Sequence, residues 1–169
     1  QSMDVRYHLH GFEAIAKRLA SHTQTCVISF VDLYQKTRRN LRATTVREPS
    51  ADEITRLAAG LASIASSYGI RIQSCAERID LEPMGIRHGR CIDRMLIEEL
   101  QGARLNVARD RNQRPECGCV QSVDIGVYDT CSHGCLYCYA NTDTKTVCRN
   151  RGLHDLSSPL LIGRMEEGD

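Results

Sequence analysis

Apolar residues recur at helical spacing in two stretches of the chain. The first stretch predicts a helix over residues 11–21, and the second predicts a helix with apolar positions over residues 54–65. A capping box of Ser50 and Glu53 precedes the second helix, and Gly69 is expected to end it. The apolar positions of the first helix are Phe12, Ile15, Ala16 and Leu19. Each helix has one apolar face and therefore needs a partner layer.

Runs of apolar and β-branched residues predict three strands, at residues 25–30, 70–74 and 121–128. The first run is apolar on both faces, which is typical of a buried parallel strand. Short helices are predicted at residues 31–40 and 91–100. Helices that alternate with strands of this length indicate an α/β fold, in which βα units build a mostly parallel sheet and functional loops collect at the carboxyl ends of its strands.

Three cysteines lie within eight residues, directly after the predicted strand at 121–128. Cys131, Cys135 and Cys138 stand at i, i+4 and i+7. Thiolates are soft ligands that select iron–sulfur clusters, zinc or copper(I). Gly134 has no Cβ and can adopt a positive φ, so the loop can curl around an inorganic core. The spacing therefore predicts a metal site, and we expect a cluster with one open position.

The same loop resembles the cysteine motif of the radical S-adenosylmethionine enzymes, CxxxCxxC with an aromatic residue, here Tyr137, before the last cysteine. His133-Gly134 and Tyr139-Ala140 make it most similar to the spore photoproduct lyase branch. A second resemblance covers most of the chain and is to an uncharacterised bacterial and archaeal family with a C-terminal CxxxCxYCYAN signature. The segments that carry it are residues 26–36, 75–93, 111–114, 117–119 and 138–141.

The first resemblance implies a [4Fe–4S] cluster held by Cys131, Cys135 and Cys138. Its fourth iron is left for the amino and carboxylate groups of S-adenosylmethionine, and Tyr137 would lie near the adenine. Electron transfer from the cluster would cleave the sulfonium and generate a 5′-deoxyadenosyl radical. The implied partners are a reductant protein such as ferredoxin or flavodoxin and a substrate of unknown class, for which the lyase branch suggests nucleic acid.

Radical S-adenosylmethionine enzymes carry the cluster loop after the first strand of a (βα) barrel, whereas only about thirty residues follow Cys138 here. We therefore expect a partial or permuted (βα) barrel whose Cys-rich cluster-binding region spans residues 117–148. The chain length predicts that residues 4–169 form a single α/β domain, and the longer resemblance implies that this domain is the C-terminal portion of a longer protein. Residues 1–3 resemble the remnant of an expression tag.

Two other functions remain open for the cysteine loop. In the first, the three cysteines are part of a structural zinc site in an interaction module, completed by Cys117, Cys119, Cys148 or His133. In the second, the protein is an iron–sulfur electron carrier. Ferredoxins supply a fourth ligand at regular spacing, but Cys148 lies ten positions beyond Cys138. The electron carrier is therefore the weaker alternative.

A second group of cysteines, Cys75, Cys91, Cys117 and Cys119, comes from a strand end, a predicted helix start and a CxC turn. Four thiols from three loops predict a Cys₄ site for an auxiliary iron–sulfur cluster or for structural zinc. The alternative is that Cys75 and Cys91 are buried core residues, because free cysteine behaves as a small hydrophobe.

Composition limits the class of protein. The chain has 169 residues, of which 41% are hydrophobic, and this suffices for one sizeable core. The net charge of +1 gives no overall field for nucleic acid, and no apolar stretch approaches the roughly 20 residues that span a bilayer. Nine cysteines are an odd number, six of them crowded near the C-terminus, which favours the reducing cytoplasm over a secreted disulfide framework.

Overall fold

The computed structural model describes residues 3–165, and the chain divides into two compact units. Unit 1 comprises Gln1–Val31 and Glu48–Ser122, and unit 2 comprises Asp32–Arg47 and Val123–Asp169. The single domain expected over residues 4–169 stays a prediction. Two residues of the proposed tag remnant, at positions 1 and 2, lie outside the described part of the chain.

The described residues form five α-helices and three strands. The helices are α1 (Val5–Leu19), α2 (Gln35–Asn40), α3 (Ala51–Ser67), α4 (Arg94–Gln101) and α5 (Thr144–Gly152), and the strands are β1 (Thr25–Ile28), β2 (Arg71–Ser74) and β3 (Arg87–His88). The strands are parallel and lie in the order β1-β2-β3, with Cys26 opposite Ile72 and Gln73 opposite Arg87. Among residues 3–165, no helix is long and apolar enough to cross a membrane.

The α/β class and the parallel sheet are confirmed. The sheet has three short strands and is open, so the partial or permuted (βα) barrel stays a prediction. In unit 1, α1 packs on α3, and α3 packs on β2. Their close contact depends on small residues, because Ala16, Ala58 and Ala65 are buried and a Cβ on Gly60 would lie only 2.6 Å from a methyl group of Leu9.

The predicted helices are present, with boundaries set by their caps. The helix predicted over residues 11–21 begins earlier, at Val5, because the Asp4 carboxylate accepts the N–H of Tyr7 at 2.9 Å. The helix predicted over 91–100 begins at Arg94, after the cap Asp93. Of the helix predicted over 31–40, the last six residues form α2.

The strand predicted over residues 121–128 is wrong. These residues are irregular, and the nearest strand-like pairing is an isolated antiparallel bridge between Arg109 and Val120. Val123 and Ile125 are 87% and 94% exposed, so the alternation of apolar and polar residues buries no face. The Asp124 carboxylate accepts the N–H of Gly126 at 2.8 Å, and this local turn competes with an extended strand. The cysteine loop therefore follows an irregular segment.

The helix α3 begins with the capping box that its sequence predicts. Ser50 Oγ accepts the N–H of Glu53 at 3.3 Å, and the Glu53 carboxylate accepts the N–H of Ser50 at 2.9 Å. We expect Ser50→Ala to lower the free energy of unfolding by about 1 kcal/mol, because two N–H groups lose part of their capping arrangement. Urea unfolding followed by circular dichroism measures this. Ser63→Ala, at an exposed interior position of α3, is the control and should cause no loss.

Candidate metal centres

The cysteine loop lies in unit 2 and is curved by its own backbone. Cys131 and Cys135 are exposed, and Cys138 is half-buried. The N–H of Cys138 donates to the carbonyl of Cys135 at 3.0 Å, which forms a tight turn between these two thiols. Gly134 has φ +66°, as its position in the loop predicted. The loop is therefore a bent segment with two thiols toward solvent.

Helix α2 contributes polar side chains that hold the second half of the loop. Asn40 Nδ2 donates to the carbonyl of Leu136 at 3.2 Å, and Lys36 Nζ donates to the carbonyl of Tyr139 at 3.2 Å. The Tyr137 hydroxyl donates to the carbonyl of Asp32 at 2.6 Å. Backbone carbonyls on both sides of Cys138 are thus fixed by residues about a hundred positions earlier in the chain.

The two ends of the loop are tied together around Asp129. The N–H of Asp129 donates to the carbonyl of Ala140 at 3.1 Å, and the Asp129 carboxylate accepts the Thr142 hydroxyl at 3.0 Å. Asp129 has φ +59°, an unusual conformation for a residue with a Cβ. Asn141 Nδ2 reaches the carbonyl of Cys131 at 2.6 Å. The hydrogen bonds that tie the loop at these residues were not predicted from the sequence, although aspartate is one of the side chains that tolerate the conformation of Asp129.

Unit 1 brings the second group of cysteines together. The sulfur atoms of Cys75 and Cys91 are 3.4 Å apart. Cys117 and Cys119 are 7% and 6% exposed, and together with Ala76 they form a small buried cluster on which Cys75 packs. The thiol of Cys119 also interacts with the thiols of Cys117 and Cys91. All four predicted residues are therefore neighbours, linked in the order 75, 91, 119, 117.

The pKa values of these thiols differ because their surroundings differ. Burial, followed by the neighbouring Cys91 thiol, raises the pKa of Cys75 to about 11. Burial also raises the pKa of Cys117. At Cys119 burial acts in the same direction, but the N–H of Ile92 and the thiols of Cys117 and Cys91 outweigh it, and the pKa of Cys119 is lowered. Within the group, the thiolate of Cys119 is therefore favoured by its hydrogen bonds.

Neither of the two cysteine groups has the geometry of a metal site in place. Within residues 3–165, no three His, Cys, Asp or Glu side chains already stand in an arrangement that could hold a metal ion. Of the residues considered for a zinc site, Cys148 is exposed on α5, in unit 2, whereas Cys117 and Cys119 belong to unit 1. The iron–sulfur and zinc assignments therefore stay predictions.

Comparison with known proteins gives one match. The sequence model of a family described as a domain of unknown function, DUF1848, matches residues 1–140. The comparisons with curated proteins and with solved structures gave no match. The matched region contains both cysteine groups. It bears out the expectation of an uncharacterised family, whereas the resemblance to radical S-adenosylmethionine enzymes stays a prediction.

Proposed function

The chain belongs to the DUF1848 family of domains of unknown function, and we propose that it is an iron–sulfur protein of the radical S-adenosylmethionine type. In this proposal Cys131, Cys135 and Cys138 hold a [4Fe–4S] cluster. The observation that carries the proposal is the bent loop itself, with three thiols in eight residues, a left-handed Gly134 and a turn from Cys135 to Cys138.

The donor set suits such a cluster. Cysteine thiolates are the usual ligands of iron–sulfur clusters, and three of them leave one iron open to another ligand. Cys131 and Cys135 face solvent, so a cluster at the loop would be accessible to a small molecule. When bound, the cluster would supply the electron that cleaves S-adenosylmethionine, and the protein would position the two.

The side chains around the loop have a positioning role in this proposal. The hydrogen bonds from Lys36, Asn40 and Asn141 fix backbone carbonyls, which leaves the thiols to bind metal. The hydroxyl of Tyr137 is held by the carbonyl of Asp32, and this fixes the ring next to Cys138. A fixed aromatic ring at that position would offer a flat apolar surface to the adenine of S-adenosylmethionine.

The proposal extends to the fold and to the partners. The three parallel strands would be part of a partial or permuted (βα) barrel. A ferredoxin or flavodoxin would deliver the electron, and the protein would work in the cytoplasm, where thiols stay reduced. Nucleic acid is the substrate class that the similarity of the loop to spore photoproduct lyase suggests.

Reconstitution with iron and sulfide under anaerobic conditions tests the proposal. We expect a brown protein with broad absorption at about 400 nm, the charge-transfer region of thiolate-bound iron. Addition of S-adenosylmethionine should perturb the electron paramagnetic resonance spectrum of the reduced cluster, because the ligand binds the open iron. A colourless protein, or a reduced spectrum that S-adenosylmethionine leaves unchanged, would contradict the proposal. The first outcome would favour the zinc-binding module and the second the electron carrier.

A further inference from the structure

We infer that unit 1 contains a mononuclear tetrathiolate site, formed by Cys75, Cys91, Cys117 and Cys119, that binds zinc as a structural ion. These residues are different from those of the cysteine loop in unit 2. The inference therefore does not rest on the radical S-adenosylmethionine function, and either proposal can fail alone.

The parallel sheet positions the thiols of Cys75 and Cys91. Cys75 directly follows β2, and its N–H donates to the carbonyl of Ile28 at the end of β1, at 2.9 Å. Cys91 comes three residues after β3, where the N–H of Gly89 donates to the carbonyl of Ser74 at 2.7 Å. Because β2 and β3 are parallel, their carboxyl ends lie at one edge of the sheet. This is why two cysteines 16 positions apart have sulfur atoms only 3.4 Å apart.

The segment after a turn, in which the N–H of Cys117 donates to the carbonyl of Arg114 at 2.9 Å, positions the other two thiols. The carbonyl of Cys117 accepts Nε of Arg109 at 2.8 Å, and the carbonyl of Cys119 accepts the N–H of Asp110 at 3.0 Å. A Cβ on Gly118 would lie 3.0 Å from Nε of Arg90, so the middle of the CxC segment packs against the residue before Cys91. The absence of a side chain at position 118 thus permits the close approach of the two segments.

The separation of the Cys75 and Cys91 sulfur atoms fits one metal ion better than a [4Fe–4S] cluster. Metal–sulfur bonds of about 2.3 Å in a tetrahedron place the sulfur atoms roughly 3.8 Å apart. The Cys75 and Cys91 sulfur atoms, at 3.4 Å, are already near that separation. In a [4Fe–4S] cluster each thiolate binds a different iron, and the four sulfur atoms would have to move much farther apart. Binding of a single ion would require side-chain rotations, and Cys75 and Cys91 are the two more exposed thiols of the group.

Backbone N–H groups already point at the sulfur atoms. The N–H of Ile92 donates to Sγ of Cys119 at 3.3 Å, and the N–H of Cys91 also donates to this sulfur. The N–H of Cys119 donates to the sulfur of Cys117, across the CxC turn. Hydrogen bonds to coordinating thiolates disperse their negative charge and orient them, which is the usual surrounding of a metal–thiolate centre.

A nearby arginine side chain offsets part of the negative charge of the proposed site. Four thiolates around a divalent ion carry two excess negative charges, and the Arg114 guanidinium lies close enough to Cys75 to stabilise its charged form. Four thiolates in a tetrahedral arrangement favour zinc, a divalent ion that has no redox chemistry of its own. A closed set of four protein ligands is typical of a structural ion, since a catalytic zinc keeps a position open.

Metal analysis of the protein, produced with zinc supplied and kept reduced, tests the site. We expect about one zinc ion per chain, with four sulfur neighbours at about 2.3 Å in X-ray absorption. Zinc should remain after Cys131, Cys135 and Cys138 are replaced together by alanine, and should be lost in Cys117→Ser/Cys119→Ser. Because buried substitutions can prevent folding, Cys91→Ser at an exposed position is the second variant. It should lower zinc affinity at least about 100-fold, more than changes outside the ligand set do.

Removal of the ion supplies the functional readout. A chelator should lower the melting temperature of the parent protein, added zinc should restore it, and Cys91→Ser should show neither response. Several outcomes would overturn the inference: zinc retained by Cys91→Ser, fewer than four sulfur neighbours, a multi-iron cluster at these residues, or a Cys75–Cys91 disulfide in the protein kept reduced.

Discussion

The simultaneous replacement of Cys131, Cys135 and Cys138 by alanine is expected to abolish iron–sulfur cluster assembly. The anaerobically reconstituted parent should bind about four iron and four sulfide ions per chain, and the variant should bind almost none. The loss of iron should be complete because the triple replacement removes every proposed protein ligand of the cluster. Iron and sulfide analysis, together with the absorption band at about 400 nm, gives the measurement.

The matched control is Cys148→Ala. Cys148 is also exposed and lies in the same unit, on α5, but outside the loop. It should leave the iron content at the level of the parent. The assignment fails if the triple variant keeps the full iron and sulfide content, or if Cys148→Ala loses them. Oxygen should also strip the site, because a cluster held by three thiolates exposes one iron, so all samples are compared without oxygen.

Elements with strong local signals could be predicted from the sequence. The capping box of α3 involves residues three positions apart, and Gly69, with φ +67°, lies just past its end. The strands β1 and β2 were also predicted: β1 is a short run of apolar and β-branched residues, and in β2 Ile72 continues an alternation with polar residues that begins at Ile70. In these elements the local preference and the tertiary packing agree.

Elements whose stability depends on distant partners could not be predicted. The strand β3 has only two residues and lies between Gly85 and Gly89, which are typical of a loop, so its pairing with β2 is its main signal. Helix α5 is polar and buries only Val147, and its apolar pattern is therefore too weak to detect. Conversely, the alternation at residues 121–128 resembles a strand but finds no ladder among the described residues.

For the two cysteine groups, too, local features could be predicted from the sequence and long-range contacts could not. The spacing of Cys131, Cys135 and Cys138 is readable directly, and the positive φ of Gly134 followed from it. The sequence placed Cys75 at a strand end and Cys91 at a predicted helix start, and the strand β3 that brings them together appears only in the structure. The hydrogen bonds that hold the loop were not foreseeable, because they join side chains to backbone carbonyls that carry no sequence signature.

The second large effect concerns the core of unit 1. Ile86 is 0% exposed and belongs to the core cluster formed with residues of α1, α3 and β2, and its N–H donates to the carbonyl of Leu81 at 3.2 Å. We expect Ile86→Ala to lower the free energy of unfolding by about 3–4 kcal/mol, because three buried carbon atoms are lost and a cavity remains. This is a large part of the stability of an ordinary domain.

Urea unfolding of the zinc-loaded protein, followed by circular dichroism, measures the effect of Ile86→Ala. Ile15→Ala is the matched control, since Ile15 loses the same carbon atoms but is 57% exposed on α1. It should change the free energy of unfolding by less than about 1 kcal/mol, because most of its side chain is in water in both states and alanine favours the helix. Equal losses for the two variants would mean that Ile86 does not occupy the core position described. A loss at Ile86 alone would confirm that Ile86 contributes to the buried core of unit 1.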